Sequence, residues 1–169
     1  MTRAVLSLGS NLGDRLAYLR VALDGLADSV VAVSPIYETE PWGGVEQGEF
    51  LNAVVIVDDA ATDAWGWLHR GQALEQAVRR ERTVRWGPRT LDVDVVTVDG
   101  VRSEDPRLLL PHPGAASRAT VLRPWLDVDA DAELPGHGRV DRLFAGLPPS
   151  DLAGMRRRED LRLTVGQPG

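Results

Sequence analysis

The chain has no cysteine and no lysine. Without thiols there is no disulfide, no thiolate nucleophile and no cysteine-ligated zinc. Without lysine there is no Schiff-base amine and no Gly-x-x-x-x-Gly-Lys-Ser/Thr phosphate loop, so any phosphate bound here falls to arginine. Long apolar runs are missing too: none approaches the ~20 residues needed to span a bilayer. The opening Met1-Thr2-Arg3-Ala4-Val5 leads straight into a strand pattern rather than a targeting segment. These absences fit a soluble, unexported, cytoplasmic protein with no membrane partner. Histidine is scarce, and His69, His112 and His137 have no metal-ligand spacing, which argues against a zinc hydrolase.

What is present suffices for one core: 43% of 169 residues are apolar, which predicts a single domain over 1–169. A formal net charge of −6 argues against a broad grip on nucleic acid. Positive charge is instead concentrated. Arg79, Arg80, Arg82, Arg85 and Arg89 stand against one acid, Glu81, and run directly into Asp92 and Asp94.

Periodicity predicts a strand over Ala4–Leu8, a turn at Gly9-Ser10-Asn11, then an amphipathic helix opened by Gly13-Asp14 and running through Leu16, Leu19, Leu23 and Leu26. Val30–Val33 and Leu51–Val57 read as two further strands. The long glycine-rich connection Glu38–Glu49 between them suggests a binding loop that moves. From Thr62, a plausible N-cap, a second helical pattern runs through Trp65, Leu68, Leu74 and Val78. Leu91–Val98 is a fourth strand, ended by the turn signal Asp99-Gly100.

The order β-α-β-β-α-β predicts an α+β fold, a ferredoxin-like split βαβ sandwich whose antiparallel sheet carries helices on one face. The core spans about residues 3–127. After it, Pro106, Pro111, Pro113, Pro124 and Pro135 suggest an irregular C-terminal extension with one short helix near Val140–Ala145. The tail from about 149 to 169 is expected to be mobile.

Side chains two apart on a strand share a face, so Asp92 and Asp94 converge while Val93 and Val95 point the other way. Close carboxylates repel unless a cation or proton intervenes, and their hard oxygens suit Mg²⁺ bridged to nucleotide phosphates. The plainer alternative is the solvent face of an edge strand. Arg80, Arg82, Arg85 and Arg89 offer planar forks for a triphosphate, although Arg79 and Arg80 could simply neutralise a helix C-terminus. Phe50 and Asn52 share another strand face and together suit a flat heterocycle. Pro111 and Pro113 hold the backbone of His112 extended between them.

The stretch Arg80 to Asp94, Arg-x-Arg-x-x-Arg-Trp-Gly-Pro-Arg-Thr-Leu-Asp-Val-Asp, resembles the signature of the 6-hydroxymethyl-7,8-dihydropterin pyrophosphokinase family. The likeness continues in Leu8-Gly9-Ser10-Asn11-Leu12-Gly13, Tyr37-Glu38-Thr39-Glu40-Pro41, Phe50-Leu51-Asn52, Leu110-Pro111-His112-Pro113 and Leu122-x-Pro124. It implies transfer of pyrophosphate from Mg-ATP to the pterin hydroxymethyl group, with release of AMP, in folate biosynthesis. It implies that Asp92 and Asp94 hold two Mg²⁺ ions and act in catalysis with Arg82 and Arg89. An ATP site is implied at Gln72, Glu75, Arg80, Arg82, Arg85, Trp86, Arg89, Val95, Arg107, Leu109, His112 and Arg118.

The pterin side is implied at Thr39, Glu40, Pro41, Trp42, Phe50, Asn52, Asp92 and Thr120. Thr120 stands where the family usually presents an aromatic to the second face of the pterin, leaving Trp42 or Trp125 to supply a second plane. The family is usually monomeric and its partners are small molecules, not nucleic acid. Two other readings stay open on the residues alone. One is a phosphoryl or nucleotidyl transferase with a different acceptor; the other is an RNA-binding or ligand-sensing module, against which the fourth strand offers aspartates where RNP aromatics would stand.

Overall fold

Strand β4 sets the architecture, because its sequence changes character halfway along. In Phe50-Leu51-Asn52 buried and half-buried residues alternate, whereas Ala53-Val54-Val55-Ile56-Val57 is buried throughout. A strand buried on both sides needs cover on both faces of its sheet. The computed structural model describes residues 3–11, 14–39, 50–80 and 91–164, with the side chain of Arg80 left out, and it supplies both covers.

The elements in chain order are β1 (Arg3–Ser10), α1 (Arg15–Gly25), β2 (Val30–Val33), β3 (Tyr37–Thr39), β4 (Phe50–Asp58), α2 (Ala64–Arg80) and β5 (Asp92–Val98). They are followed by a small hairpin, β6 (Ser103–Asp105) and β7 (Leu108–Leu110), a 3-10 turn at Ala115–Ser117 and α3 (Ala119–Val128). A second hairpin, β8 (Glu133–Leu134) and β9 (Gly138–Arg139), leads to α4 (Val140–Ala145), α5 (Pro149–Leu152) and β10 (Met155–Arg157).

The main sheet runs β10-β3-β4-β1-β5, with β2 lying beside β3 along the same edge of β4. Every pairing is antiparallel. Helix α1 therefore joins two parallel strands, β1 and β2, with β4 between them, and α2 joins β4 to β5 with β1 between them. Pro35 divides β2 from β3, and the Ser34 hydroxyl bridges the break by accepting the N–H of Val54 at 2.8 Å.

On the first face Leu19, Leu23 and Leu26 of the α1 region and Trp67 and Val78 of α2 pack on Ala4, Leu6, Leu8, Ala53, Val55 and Val57. Helix α2 approaches closely at Gly71, where a Cβ would lie 2.9 Å from Val93 Cγ1. On the second face Val121, Leu122 and Trp125 of α3 and Val140 of α4 cover Val5, Val54, Ile56 and Val96. Val96 reaches that core by alternation from Asp92 and Asp94, and the bulge just after it, where Leu6 pairs Val95 while Val5 pairs Thr97, turns Val98 back to the first core.

The mixed fold with its antiparallel sheet is as the sequence predicts, but five local expectations change. Helices cover both faces, not one. Strand β1 continues through the expected turn to Ser10, so Gly9 lies within the sheet. Helix α2 is capped by Asp63, whose Oδ1 accepts the N–H of Gly66 at 2.7 Å, while the Thr62 hydroxyl donates to Asp59. The stretch expected to be irregular holds α3 with Pro124 inside it. That proline removes one backbone donor from the second turn; burial of Val121, Leu122 and Trp125 compensates.

The C-terminal stretch expected to be mobile from about 149 forms α5 and then β10, which pairs with β3 from Met155↔Thr39 to Arg157↔Tyr37. Arginine side chains hold it there, a signal that hydrophobic patterning does not register. The short helix expected near Val140–Ala145 is α4.

Candidate active site

The second face of the sheet is dry for half its length and polar for the other half. All three long strands change at the same level. Burial becomes alternating at Ser7 in β1, toward Asn52 in β4 and toward Asp94 in β5. The register aligns these positions: Ser7 pairs both Val54 and Asp94, and Gly9 pairs both Asn52 and Asp92. A row Tyr37–Asn52–Gly9–Asp92 thus crosses four adjacent strands.

Gly9 leaves the middle of that row bare. A Cβ there would meet only Asn52 Oδ1 at 3.5 Å and Phe50 Cδ1 at 4.0 Å, so the nearest neighbours of the bare floor are the amide and the ring singled out by the sequence. The Asn52 amide is oriented from the far side. Its Nδ2 donates to Thr39 Oγ1 at 3.1 Å and reaches the carbonyl of Tyr37 at 3.5 Å, which leaves Oδ1 toward Gly9.

Asp92 and Asp94 are both half-buried and flank buried Val93, so they share the second face as strand alternation requires. The backbone between them is held by α2: Glu75 Oε2 accepts the N–H of Val93 at 3.1 Å. Gly71, one turn earlier, makes this reach possible by letting the helix sit against Val93. Glu75 therefore supports the carboxylate pair from the opposite face of the sheet.

His112 follows the cis Leu110–Pro111 bond and is fixed by two hydrogen bonds. Its N–H donates to the carbonyl of Val96 at 2.8 Å, and its Nδ1 accepts the N–H of Gly114 at 3.1 Å. With Nδ1 accepting, the neutral ring carries its proton on Nε2. Burial pushes its pKa below the ordinary value; the Asp94 charge raises it and Arg118 lowers it. Arg118 folds over Gly114, where a Cβ would stand 2.8 Å from the guanidinium carbon. Asp94, His112 and Arg118 thus form one electrostatic group at the margin of the polar half.

Other expected residues lie elsewhere. The side chain of Val95 faces the first core, so only its backbone is available to a ligand. Arg107 is exposed, ion-paired with Asp105 at 2.9 Å and stacked over Trp65 at 5.1 Å. Leu109 is exposed on β7, Gln72 is exposed on α2, and Thr120 is half-buried at the start of α3. Trp125, one of two candidates for a second aromatic plane, is only 3% exposed and packed in the second core, so it is not available to a ring lying on the polar half.

Glu40, Pro41, Trp42, Arg82, Arg85, Trp86 and Arg89 lie outside the described residues, as does the side chain of Arg80. His69 and His137 are exposed. Sequence reasoning missed Gly9 as part of the floor and Gly71 as the point of close approach. The alternation Ser7-Leu8-Gly9-Ser10 carried the first signal; nothing local marked the second.

Half a sheet face lined by carboxylates, an amide, an imidazole and a guanidinium, with Phe50 beside a bare glycine, has the layout of an enzyme for small, charged, partly planar substrates. Comparison with known proteins narrows the class. The family model described as 7,8-dihydro-6-hydroxymethylpterin-pyrophosphokinase (HPPK) matches residues 5–130. The chain is 51% identical over 168 residues to the 2-amino-4-hydroxy-6-hydroxymethyldihydropteridine pyrophosphokinase of Mycobacterium tuberculosis, covering 92% of this chain and 89% of that protein. It is 55% identical over 170 residues to the Mycobacterium leprae protein of the same name, covering 92% and 88%.

Among solved structures, a triple mutant of Plasmodium falciparum HPPK-DHPS superposes with a TM-score of 0.68 at 15% identity, over 85% of this chain and 44% of that one. That likeness concerns the fold, and the chain spans less than half the length of the Plasmodium protein. The chain belongs to the 7,8-dihydro-6-hydroxymethylpterin-pyrophosphokinase family.

Proposed function

We propose that the protein transfers the terminal pyrophosphoryl group of Mg-ATP to the hydroxymethyl oxygen of 6-hydroxymethyl-7,8-dihydropterin in folate biosynthesis. The new bond joins that oxygen to the β-phosphorus. The bond from the β-phosphorus to the α,β-bridging oxygen breaks, AMP leaves, and the hydroxyl proton passes to solvent. The observation that carries this reading is the row Asn52–Gly9–Asp92. At strand spacing it spans roughly 10 Å, so the Asn52 amide and the Asp92 carboxylate stand on one surface with open floor between them, which supports a ring at the amide and phosphates at the carboxylate.

The fold is read as the ferredoxin-like split βαβ arrangement, on the strand order and the two crossing helices. The donor set fits magnesium. Among the described residues no group of three or more His, Asp or Glu is arranged to hold an ion, so no closed protein cage is offered. Mg²⁺ suits a carboxylate pair because it retains waters and takes its remaining ligands from phosphates. Asp92 and Asp94 would hold two such ions, which supply charge neutralisation and a more acidic hydroxyl.

The chain's own residues do the positioning. Phe50 lies under the ring and Asn52 fixes its edge, with Thr39, Glu40, Pro41, Trp42 and Thr120 completing the pterin side. His112 can donate from Nε2 to a phosphate oxygen, while Arg118, Arg82 and Arg89 meet charge that moves toward the leaving AMP. Arg80, Arg85, Trp86, Gln72, Glu75, Arg107 and the backbone near Val95 and Leu109 complete the nucleotide side. Catalysis of this kind rests on alignment and charge more than on a covalent intermediate. The same reading takes the protein as a cytoplasmic monomer with no nucleic-acid or membrane partner; among the described residues no helix is long and apolar enough to cross a membrane.

The test is AMP formation from Mg-ATP and 6-hydroxymethyl-7,8-dihydropterin by the folded chain. Stoichiometric AMP and pyrophosphorylated pterin are expected. Formation of ADP instead, or no turnover by folded protein, would sink the reading.

A further inference from the structure

Strand β3 is only three residues long, yet it orients the ring-binding amide. Tyr37 and Thr39 face the polar half and engage Asn52 through the Tyr37 carbonyl and the Thr39 hydroxyl. Glu38 between them points to the other face and is 2% exposed. Three arginines from distant parts of the chain converge on that buried carboxylate. Arg15, at the start of α1, donates to Oε2 at 2.8 Å, Arg158 donates to Oε1 at 3.0 Å, and Arg156 of β10 donates to Oε1 as well.

Arg158 is itself anchored: Asp160 takes its Nε and Nη2 at 2.8 and 2.7 Å, and its backbone N–H donates to the carbonyl of Ile36 at 2.8 Å. The family match ends at residue 130, so β10 and Arg158 lie beyond it.

A buried ion pair is weak evidence for stability, because desolvation offsets the attraction, but it can specify one arrangement over its neighbours. A three-residue strand needs such a device, since a slip by one residue turns every side chain to the opposite face. Slipped, β3 would leave the Glu38 carboxylate without its guanidinium partners and withdraw Tyr37 and Thr39 from Asn52. We propose that Glu38, held by Arg15, Arg156 and Arg158, is a positioning residue that fixes β3 and through it the Asn52 amide. The C-terminal strand is then a working part of the ring subsite. The ring this favours is one that brings an N–H donor to Asn52 Oδ1. The assignment rests on the pterin reading above.

The test uses the full chain with Glu38→Gln and the milder Arg156→Met, chosen because the Arg156 side chain is 64% exposed and its loss disturbs no core. Leu134→Ala, 1% exposed in the second core, serves as a control for lost stability alone. Loss of an oriented hydrogen bond predicts an about tenfold rise in the pterin KM for Glu38→Gln and about threefold for Arg156→Met, with kcat and the ATP KM within about twofold. In ligand-free protein both variants shift the Asn52 side-chain amide resonances in nitrogen-correlated NMR spectra, and Arg156→Lys restores them. Leu134→Ala lowers the unfolding temperature but leaves the KM ratio and those resonances in place.

An unchanged pterin KM and unmoved Asn52 resonances in Glu38→Gln and Arg156→Met, despite lower melting temperatures, would reduce Glu38 to a structural role and overturn the proposal. Should Glu38→Gln not fold, Arg156→Met and Arg156→Lys decide the matter. If even the unaltered protein makes no AMP, the pterin reading fails, while the Asn52 resonances still judge the coupling by themselves.

Discussion

The dry and polar halves of the second sheet face are built from the same three strands, yet they serve opposite ends. In the dry half Val5, Val54, Ile56 and Val96 meet Trp125, Leu122 and Val140, and water is excluded. A few residues further along, Ser7, Gly9, Asn52, Asp92 and Asp94 occupy equivalent strand positions and stay half-open. The difference teaches how a rigid sheet delivers accuracy to a site: the polar groups ride on strands whose other ends are clamped from both sides. Activity and stability should therefore separate along each strand, not between elements.

Trp125→Ala attacks the dry half and carries the largest expected effect. Removing a buried indole costs about 3–5 kcal/mol of stability. Chemical unfolding should show that loss, while kcat and both KM values per folded molecule stay within about twofold. A collapse of kcat in the folded fraction would break the partition.

Asp94→Ala is the converse. Turnover should fall about 10²–10³-fold, as for loss of a group that stabilises transition-state charge, with the unfolding temperature unchanged or slightly raised as a carboxylate neighbouring Asp92 disappears. AMP formation and thermal unfolding measure the two sides. Wild-type turnover would remove Asp94 from the chemistry, and a large loss of stability would make it a structural residue.

Much of this division is legible in the sequence. Asp92-Val93-Asp94 alternates and converges as strand geometry dictates, whereas the nearness of His112 to Asp94 was implied by the family resemblance alone, since the flanking prolines say only that its backbone is extended. The run Ala53-Val54-Val55-Ile56-Val57 equally announced two covered faces, but an expectation of helices on one face passed over it. Helix α3 was missed because Pro124 outweighed its apolar spacing in a local reading, although tertiary burial outweighs one lost backbone bond. Strand β10 was missed for a different reason: what holds it is the pairing of Arg156 and Arg158 with Glu38, more than a hundred residues away in sequence. No local pattern encodes such a partner. Glu75 and Gly71 show the same limit, since their roles exist only once α2 lies on Val93.

Tyr37 sits at the seam of the two halves and gives a third, smaller effect. Its backbone serves Asn52 while its hydroxyl donates to Asp127 of α3. Burial, reinforced by the hydrogen bond to Asp127, raises its pKa from the ordinary 10 to about 12. The folded state therefore binds this proton more tightly than the unfolded chain, so the contribution is complete below pH 10 and is lost as pH climbs from 10 through about 12. Its size is on the order of 2 kcal/mol.

The measurement is clean here, because the chain has no lysine or cysteine and its arginines are fixed in their charge. Denaturant unfolding should lose stability across that window in the native protein and hold nearly flat in Tyr37→Phe. Equal alkaline losses in both would detach Tyr37 from the effect.

The smallest change tests the bare floor itself. Gly9→Ala places a methyl 3.5 Å from Asn52 Oδ1 and 4.0 Å from Phe50 Cδ1, ordinary contact distances, so the fold accepts it. Restricting the unfolded chain should hold stability steady or raise it by about 0.4–1 kcal/mol. The methyl nevertheless fills the space between the amide and Asp92, and a ring lying there must rise off the sheet. One methyl-sized misfit in a binding site predicts an about tenfold higher pterin KM. The ATP KM should move less, because the proposed phosphate side begins at Asp92. Steady-state kinetics with each substrate varied in turn distinguishes the two. A pterin KM that does not move would place the ring off the Asn52–Gly9–Asp92 row, and the polar half would then serve the phosphates alone.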